Sequence, residues 1–549
     1  MPKRNTYKQP VLASQGVVSA NHPLASAAGA TMLAYGGTVA DAAVATIATL
    51  TVVEPMMVGP LGGGYIMSRN AAGEVMVIDN YATAPGRATP DMYEPDDATG
   101  PMEAMGLKNR VGYLACGVPG NLKGWFRLHK EHGRLPIEQV LAPAIHYAES
   151  GFPASAYLQK QVQVMEQHLA KFPESAAVFL KRGGPPEVGD LIINKDLAAT
   201  LRVFAAEGPD ALYGGHIGQA LVDAMERNGG LVTMDDLRAY DVRVREPIRG
   251  TYRGYEILGT PPSSGGGLLN QLGFNIMEQF DVGSLGPHSA KYYHLVIETL
   301  KLMFADRAKY LGDPEQVPLP LEALIDKAYG KVRAGEISMS TAQSFQAGMP
   351  VLNDGDSGHT THLTVMAADG SVVTMTQTIN DIFGGKAIVP GTGLFINDTM
   401  ALFDPHPGRP NSIAPGKRML TATAATIVMK DGEPVFALGT PGATRIFPAV
   451  FQGILNVIDH GMDLQESVEA PRVWSDGRTT EVEGDIPESV RSELEAMGHK
   501  LAVVDTVAGG MNGVQVDPDT GLLLGAACWR ADGSPVGISG GPARRMSTW

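Results

Sequence analysis

The chain is poor in cysteine: Cys116 and Cys528 are the only two in 549 residues. Two thiols exclude a disulfide framework and a cysteine-based metal site, leaving one disulfide at most. No run of eighteen apolar residues occurs, which excludes a helical membrane span. The basic start Met1-Pro2-Lys3-Arg4 also lacks the apolar stretch of a signal peptide. A cytoplasmic location is the resulting expectation. Positive charge is in deficit, with 43 Lys and Arg against 58 Asp and Glu and a formal charge of -15. That balance argues against nucleic acid and against an anionic membrane surface as partners. No repeat period of about 20–50 residues is present, so solenoids and propellers are excluded.

What the chain does have is core-forming material: 44% of residues are apolar and 18% charged, as in a globular protein with a large interior. The 66 glycines and 38 prolines are scattered between apolar segments, which indicates tight loops rather than disorder. The length suits several domains, or one large α/β unit divided into two chains. Helices are expected at residues 25–35, stopped by Gly36-Gly37, and at 41–51, closed by Glu54-Pro55. A strand follows the Gly62-Gly63-Gly64-Tyr65 turn, and another covers 75–78. Helical periodicity dominates from about 120 to 330, as at 196–207 and 216–228. Residues 334–358 lack periodicity and read as a flexible segment. Beyond them the period becomes two. A hairpin of 362–366 and 372–378 is expected around Ala368-Asp369-Gly370, a strand pair around Lys430-Asp431-Gly432, and a helix at 447–460. Helices early and strands late suggest sheets sandwiched between helices.

The change of period falls at Gly358-His359-Thr360-Thr361-His362-Leu363-Thr364-Val365. Here a small, polar stretch gives way to a hydroxyl residue that opens a strand, so the run reads like the beginning of a protein. A threonine hydroxyl needs a base. If the chain is cut between His359 and Thr360, the new α-amine, with an unperturbed pKa of about 7.7–8.0, supplies one. The plainer reading is that threonine is a common strand residue, as in Thr374-Met375-Thr376-Gln377-Thr378. His359 and His362 are three apart and point to opposite faces of a strand, so they do not share a metal ion. Ser263-Ser264-Gly265-Gly266-Gly267 lacks the lysine of a phosphate loop and fits a helix start after Pro261-Pro262. In Gly439-Thr440-Pro441-Gly442-Ala443-Thr444-Arg445, a Pro-Gly turn leads into a helix and leaves backbone N–H groups free for an oxyanion.

Taken together, three features resemble the γ-glutamyltransferase family. They are Thr360-Thr361-His362, Thr378-Ile379-Asn380 eighteen and twenty residues further on, and Pro441-Gly442-Ala443-Thr444-Arg445. The likeness continues in Gly36-Gly37-Thr38-Val39-Ala40-Asp41, Val53-Glu54-Pro55, Leu61-Gly62-Gly63-Gly64, Gly208-Pro209-Asp210-Ala211-Leu212-Tyr213-Gly214-Gly215 and Phe304-Ala305-Asp306-Arg307. The resemblance implies an α+β fold, the four-layer αββα sandwich of N-terminal-nucleophile hydrolases. It implies self-cleavage into a large subunit (1–359) and a small subunit (360–549) that stay together as a heterodimer, with a dimer of such heterodimers left open. Thr360 would be the nucleophile, Thr378 would hold it, and the N–H groups of Gly442 and Ala443 would stabilise the oxyanion. No cofactor or metal is implied. The partners are a small-molecule amide and an acceptor that is water or an amine.

The departures bear on the substrate. Members of the family that act on γ-glutamyl groups hold its α-carboxylate with an arginine and two serines. Tyr81 and Thr421-Ala422 stand at those places here. Of the groups that hold the α-amino end, Asn380 remains, Thr399 replaces a glutamine and Leu402 replaces the acid, with Asp404 two residues beyond. Losing a guanidinium removes a bidentate contact that tyrosine cannot reproduce. The pattern is similar to the family's cephalosporin (glutaryl) acylases, and implies a small acyl group other than γ-glutamyl. The alternative is ordinary γ-glutamyl transfer and glutathione hydrolysis.

Overall fold

The computed structural model describes residues 6–345 and 359–540. Fourteen strands form two large sheets. Seven precede Thr360: β1 (Val11–Ala13), β2 (Gly16–Ala20), β3 (Gly63–Arg69), β4 (Val75–Asp79), β5 (Arg243–Arg245), β6 (Ile248–Tyr252) and β7 (Tyr255–Gly259). Seven more are β8 (His359–Ala367), β9 (Val372–Asn380), β10 (Thr426–Lys430), β11 (Glu433–Gly439), β12 (Asn512–Val516), β13 (Leu523–Ala527) and β14 (Val536–Ile538). The first sheet runs β14-β2-β8-β9-β3-β4-β5 and the second β1-β13-β12-β11-β10-β7-β6. Every pairing in both is antiparallel.

Three apolar clusters define four layers. Leu363, Val365, Val373 and Met375 face helices that include α1 (Pro23–Ala34) and α2 (Val39–Val53). A second cluster lies beneath the other sheet. It involves α4 (Gly266–Met277), α5 (Ala290–Tyr310) and α6 (Ile446–Ile458), while α3 (Ala156–Leu169) belongs to the first helical layer. Between the sheets, Tyr65, Met67, Val77, Met366, Val372, Ile427, Ala437 and Val514 pack together. Strands covered on both faces are buried throughout, as β9 is, which explains why Met375 is as hidden as Thr374. This is the αββα sandwich that the family resemblance implies.

One expectation needs correction. The strands expected after Gly64 and at 75–78 are present, but they are not the last before Thr360, since each sheet mixes strands from both sides of it. The stretch 120–330 also contains β5, β6 and β7. In β6 the outward positions Arg249 and Thr251 flank a glycine, and five residues of alternation are drowned by the longer helical periods around them. Because both sheets are built jointly, a cut at Thr360 leaves two chains sharing one core. Of the segment 334–358, residues 346–358 lie outside the described residues. Ala342 donates its backbone N–H to Met497 O at 2.7 Å.

The signature around Thr38 has a structural role. Thr38 caps α2, and Asp41 returns a bond to the Thr38 N–H at 2.8 Å in a capping box. All fifteen residues of α2 are buried, and the helix delivers Glu54 to the back of β8.

Candidate active site

Thr360 lies in β8, one of the inner strands of its sheet. The β8–β9 register pairs His359 with Asn380 but Thr361 with Gln377. Two residues, Thr378 and Ile379, therefore oppose Thr360 alone, which is a bulge that re-aims a side chain. The row facing the second sheet is polar and closed. His362 Nδ1 meets Thr376 Oγ1 at 2.9 Å, its Nε2 meets Thr364 Oγ1 at 3.1 Å, and Thr364 and Thr374 hydroxyls are 3.2 Å apart. Burial pushes His362 down to about 3, so it stays neutral and structural. The side chain of His359 lies outside the described residues. Gly439 makes room for the ring, because a Cβ there would be 2.3 Å from His362 Cε1.

Thr378 opposes Thr360 across the bulge, and its Oγ1 accepts the Asn380 N–H at 2.7 Å. Asn380 has φ of +79°, a conformation that costs a non-glycine residue about 1–3 kcal/mol. Its side chain donates to Asp398 O at 3.2 Å. Asp398 is itself buried beside Lys386 (3.3 Å), which also faces Asp381 (3.7 Å); Asp381 in turn pairs with Arg110 at 3.0 Å. Burial and the Asp381 carboxylate push Asp398 up. This cluster of two acids and two bases ties together the two ends of the 380–398 loop.

Thr360 lines a cavity of about 570 Å³ together with Gly442, Ala443, Tyr157, Lys160, Arg445 and Trp529. The Pro-Gly turn and the threonine thus meet in space as expected. Gly442 has φ of +137° and Ala443 of +53°. A Cβ on Gly442 would strike Ala508 Cα at 2.6 Å, so that position requires glycine. Ala443 opens a short helical turn that leads into α6, and the first N–H groups of such a turn have no acceptor within it. Arg445 forms a two-pronged pair with Glu481 (Nε–Oε2 2.8 Å) and lies 4.1 Å over the Trp474 ring. The same pair borders a second cavity of about 640 Å³ lined by Trp474, Arg478, Arg110 and Lys386.

Tyr81, Asn380, Thr399, Leu402, Thr421 and Ala422 do not line the Thr360 cavity; those of them that are apolar pack mainly between the layers. Tyr81 is buried 5.9 Å from the Tyr65 ring, and burial pushes its phenol above the usual range. Tyr65 bonds Ser263 at 3.0 Å, and Ser263 O accepts the Thr421 N–H at 3.2 Å. The Thr399 hydroxyl is committed to Asn397 at 2.7 Å and the Thr421 hydroxyl to Thr423 at 3.2 Å. Leu402 packs with Tyr81 and Met400 in the inter-sheet cluster. Asp404 is held by Arg409 at 3.0 Å and His406 at 2.9 Å, so its carboxylate serves its own loop.

The family model for gamma-glutamyltranspeptidase matches residues 25–538. The chain belongs to that family. It is 51% identical over 539 residues to an acylase ACY 1 proenzyme of Pseudomonas sp. (strain SE83), covering 98% of this chain and 96% of the relative. It is 36% identical to a glutathione hydrolase proenzyme of Bacillus subtilis (strain 168), covering 97% and 93%. A crystal structure of cephalosporin acylase from Bacillus halodurans superposes with a TM-score of 0.88 at 28% identity, covering 98% of this chain and all of that one (100%). The chain is thus an enzyme of the gamma-glutamyltranspeptidase family with the fold of an N-terminal-nucleophile acylase.

Among the described residues one group has the chemistry of metal ligands: His294, Glu298 and His499, all buried. Each is already engaged, His294 with His499 (2.8 Å) and Ser338 O (2.7 Å), and Glu298 with Lys301. An ammonium against the carboxylate makes this a hydrogen-bonded network rather than a cation site. Sequence reading missed Glu54, Tyr157 and the Asp398–Lys386–Asp381–Arg110 cluster. Glu54 and Arg110 meet Thr361 and Asp381 from far off in the chain, and only the family likeness of Val53-Glu54-Pro55 offered a signal.

Proposed function

We propose that this chain is the precursor of an amide acylase whose nucleophile is Thr360, set free by self-cleavage after His359. The observation that carries the reading is the meeting of Thr360, at a bulge, with the Gly442-Ala443 turn in one cavity. In the cut protein the Thr360 α-amine takes the hydroxyl proton as Oγ1 attacks the substrate carbonyl. The N–H groups of Gly442 and Ala443 receive the developing oxyanion, each such donor being worth about 2.7–4 kcal/mol. Collapse expels the amine, which takes the proton back from the α-ammonium. Water or another amine then resolves the ester.

For the acyl group we propose a small, glutaryl-like chain without an α-amino group. A glutaryl group keeps the terminal carboxylate of a γ-glutamyl group and lacks only its ammonium, so the discriminating support is Leu402 at the place of the acid and a Thr399 hydroxyl already committed to Asn397. The missing charged contact to the ammonium removes about 1.5–3 kcal/mol from γ-glutamyl binding alone. The relatives named as acylases point the same way.

The test pairs two experiments. On a denaturing gel the protein should give two fragments, the smaller beginning at Thr360, and Thr360→Ala should stay uncut and inactive; a stable, active 58.0 kDa chain defeats the cleavage reading. A glutaryl anilide should show a higher kcat/KM than the γ-glutamyl anilide. The opposite preference assigns the enzyme to ordinary γ-glutamyl transfer.

A further inference from the structure

Thr360 and the Gly442-Ala443 turn belong to different sheets. Thr360 lies on β8 of the first, and the turn follows β11 of the second. Within a sheet, ladder hydrogen bonds fix the strand spacing at about 4.8 Å. Between sheets the contact is side-chain packing, which is non-directional and lets layers slide. The distance from nucleophile to turn is therefore set by the groups that span the gap near them.

Asn512 spans it. This residue of β12 is fully buried and is the register partner of Gly439 on β11. Its Nδ2 donates to His362 O of β8 at 2.8 Å, and to Asn21 Oδ1, just past β2, at 3.0 Å. Both amide hydrogens are thus committed to the first sheet, where β2 and β8 are neighbours. The His362 ring fills the same gap in the opposite direction. It packs on Gly439, where a Cβ would lie 2.3 Å from its Cε1. His362 is two residues from Thr360, and Gly439 is three from Gly442.

We propose that Asn512 is a positioning residue that sets the separation of Thr360 Oγ1 from the N–H groups of Gly442 and Ala443. The proposal rests on the reading of that turn as the oxyanion site. The Asn512 bond draws β8 toward the second sheet, and the His362 ring stops the approach at contact with Gly439. Together they define one spacing where apolar packing alone permits several. An oxyanion donor acts only at hydrogen-bond distance from the tetrahedral oxygen. A shift of the sheets is therefore felt in the chemical step rather than in binding of the planar amide. Asn512 Oδ1 has no partner among the described residues, so an apolar residue of similar size relieves an orphaned acceptor while it removes the donors.

Asn512→Leu supplies the test, on cut protein with active sites counted by acyl-enzyme mass. Its kcat on the glutaryl anilide should fall about tenfold or more, with KM within about twofold of wild type. A boronic acid carrying the same carboxypropyl chain forms a tetrahedral adduct on Thr360 and should weaken by a similar factor. Val514→Ala is the control. It lies two residues along the same strand in the inter-sheet cluster, removes packing without removing a side-chain hydrogen bond, and should keep kcat within about twofold. Wild-type kcat in Asn512→Leu, or an equal loss in Val514→Ala, overturns the proposal. So does a loss carried by KM, or one that leaves the boronic acid as tight as before. Should Asn512→Leu give no cut protein, Asn512→Ser, whose hydroxyl is too short to reach His362 O, carries the same expectation and the same refutation. Wild-type protein left uncut at Thr360 removes the functional reading itself. Cut, active wild type beside an unimpaired Asn512 variant removes only the role of Asn512.

Discussion

Replacing Thr378 with valine tests the geometry behind the nucleophile. The side chain keeps its shape and loses its oxygen. Asn380 N–H then loses an acceptor at 2.7 Å in a place where Asn380 is 2% exposed, and such an orphaned donor costs about 1–3 kcal/mol. The same bond holds Asn380 at φ of +79°, where strain of about 1–3 kcal/mol favours release. Both terms push residues 378–380 to relax, and those residues are what Thr360 is registered against. A displacement of about 1 Å at a reacting atom costs on the order of 100-fold. Thr378→Val should therefore lose roughly 100-fold in kcat/KM and about 1–3 kcal/mol of stability. Thr378→Ser, which keeps the acceptor, should stay within about threefold of wild type. Activity is measured on cut protein, with active sites counted by acyl-enzyme mass, and stability by urea unfolding. A Thr378→Val enzyme with wild-type kcat/KM, or a serine variant as impaired as the valine one, refutes the reasoning.

Two further outcomes follow from buried charge. His362 is depressed from 6.5 to about 3 by burial, so its contribution to stability is fully present above pH 6.5 and is lost as pH falls toward 3. Between pH 6.5 and 5 the loss from this site should reach about 2 kcal/mol; urea unfolding of Thr360→Ala against Thr360→Ala/His362→Gln reads it, and an identical pH slope in both contradicts it. Lys386→Met leaves Asp398 and the Arg110 carbonyl without their buried ammonium donor and should cost about 1–3 kcal/mol, while Lys386→Met/Asp398→Asn should recover part. A double variant no more stable than the single one assigns the loss to packing instead.

Several elements were legible because their signals are local. The capped helix at Thr38, the hairpin around Asp369-Gly370 and the Pro-Gly turn at Gly442 each carry their own turn or cap residues, and residues 216–228 carry a full helical period. β5 to β7 went unread because short strands borrow stability from neighbours far away in the chain. The Asp398–Lys386–Asp381–Arg110 cluster escaped for the same reason: Arg110 and Asp381 are 271 residues apart, and nothing near either announces the other.

By itself, then, the sequence determined the change of period at Thr360, the spacings to Thr378 and Asn380, and the family. These depend on residue identity and short-range order. Tertiary structure alone decided that two residues oppose Thr360 across the bulge, and that the Gly442-Ala443 turn shares its cavity. It also decided that Tyr81, Thr399, Leu402 and Thr421 turn to packed or committed partners, and that Glu54 stands buried behind the strand. Each depends on burial and on distances between segments far apart in the chain, and the energy of a charge or a hydroxyl is set by what surrounds it rather than by its neighbours in sequence.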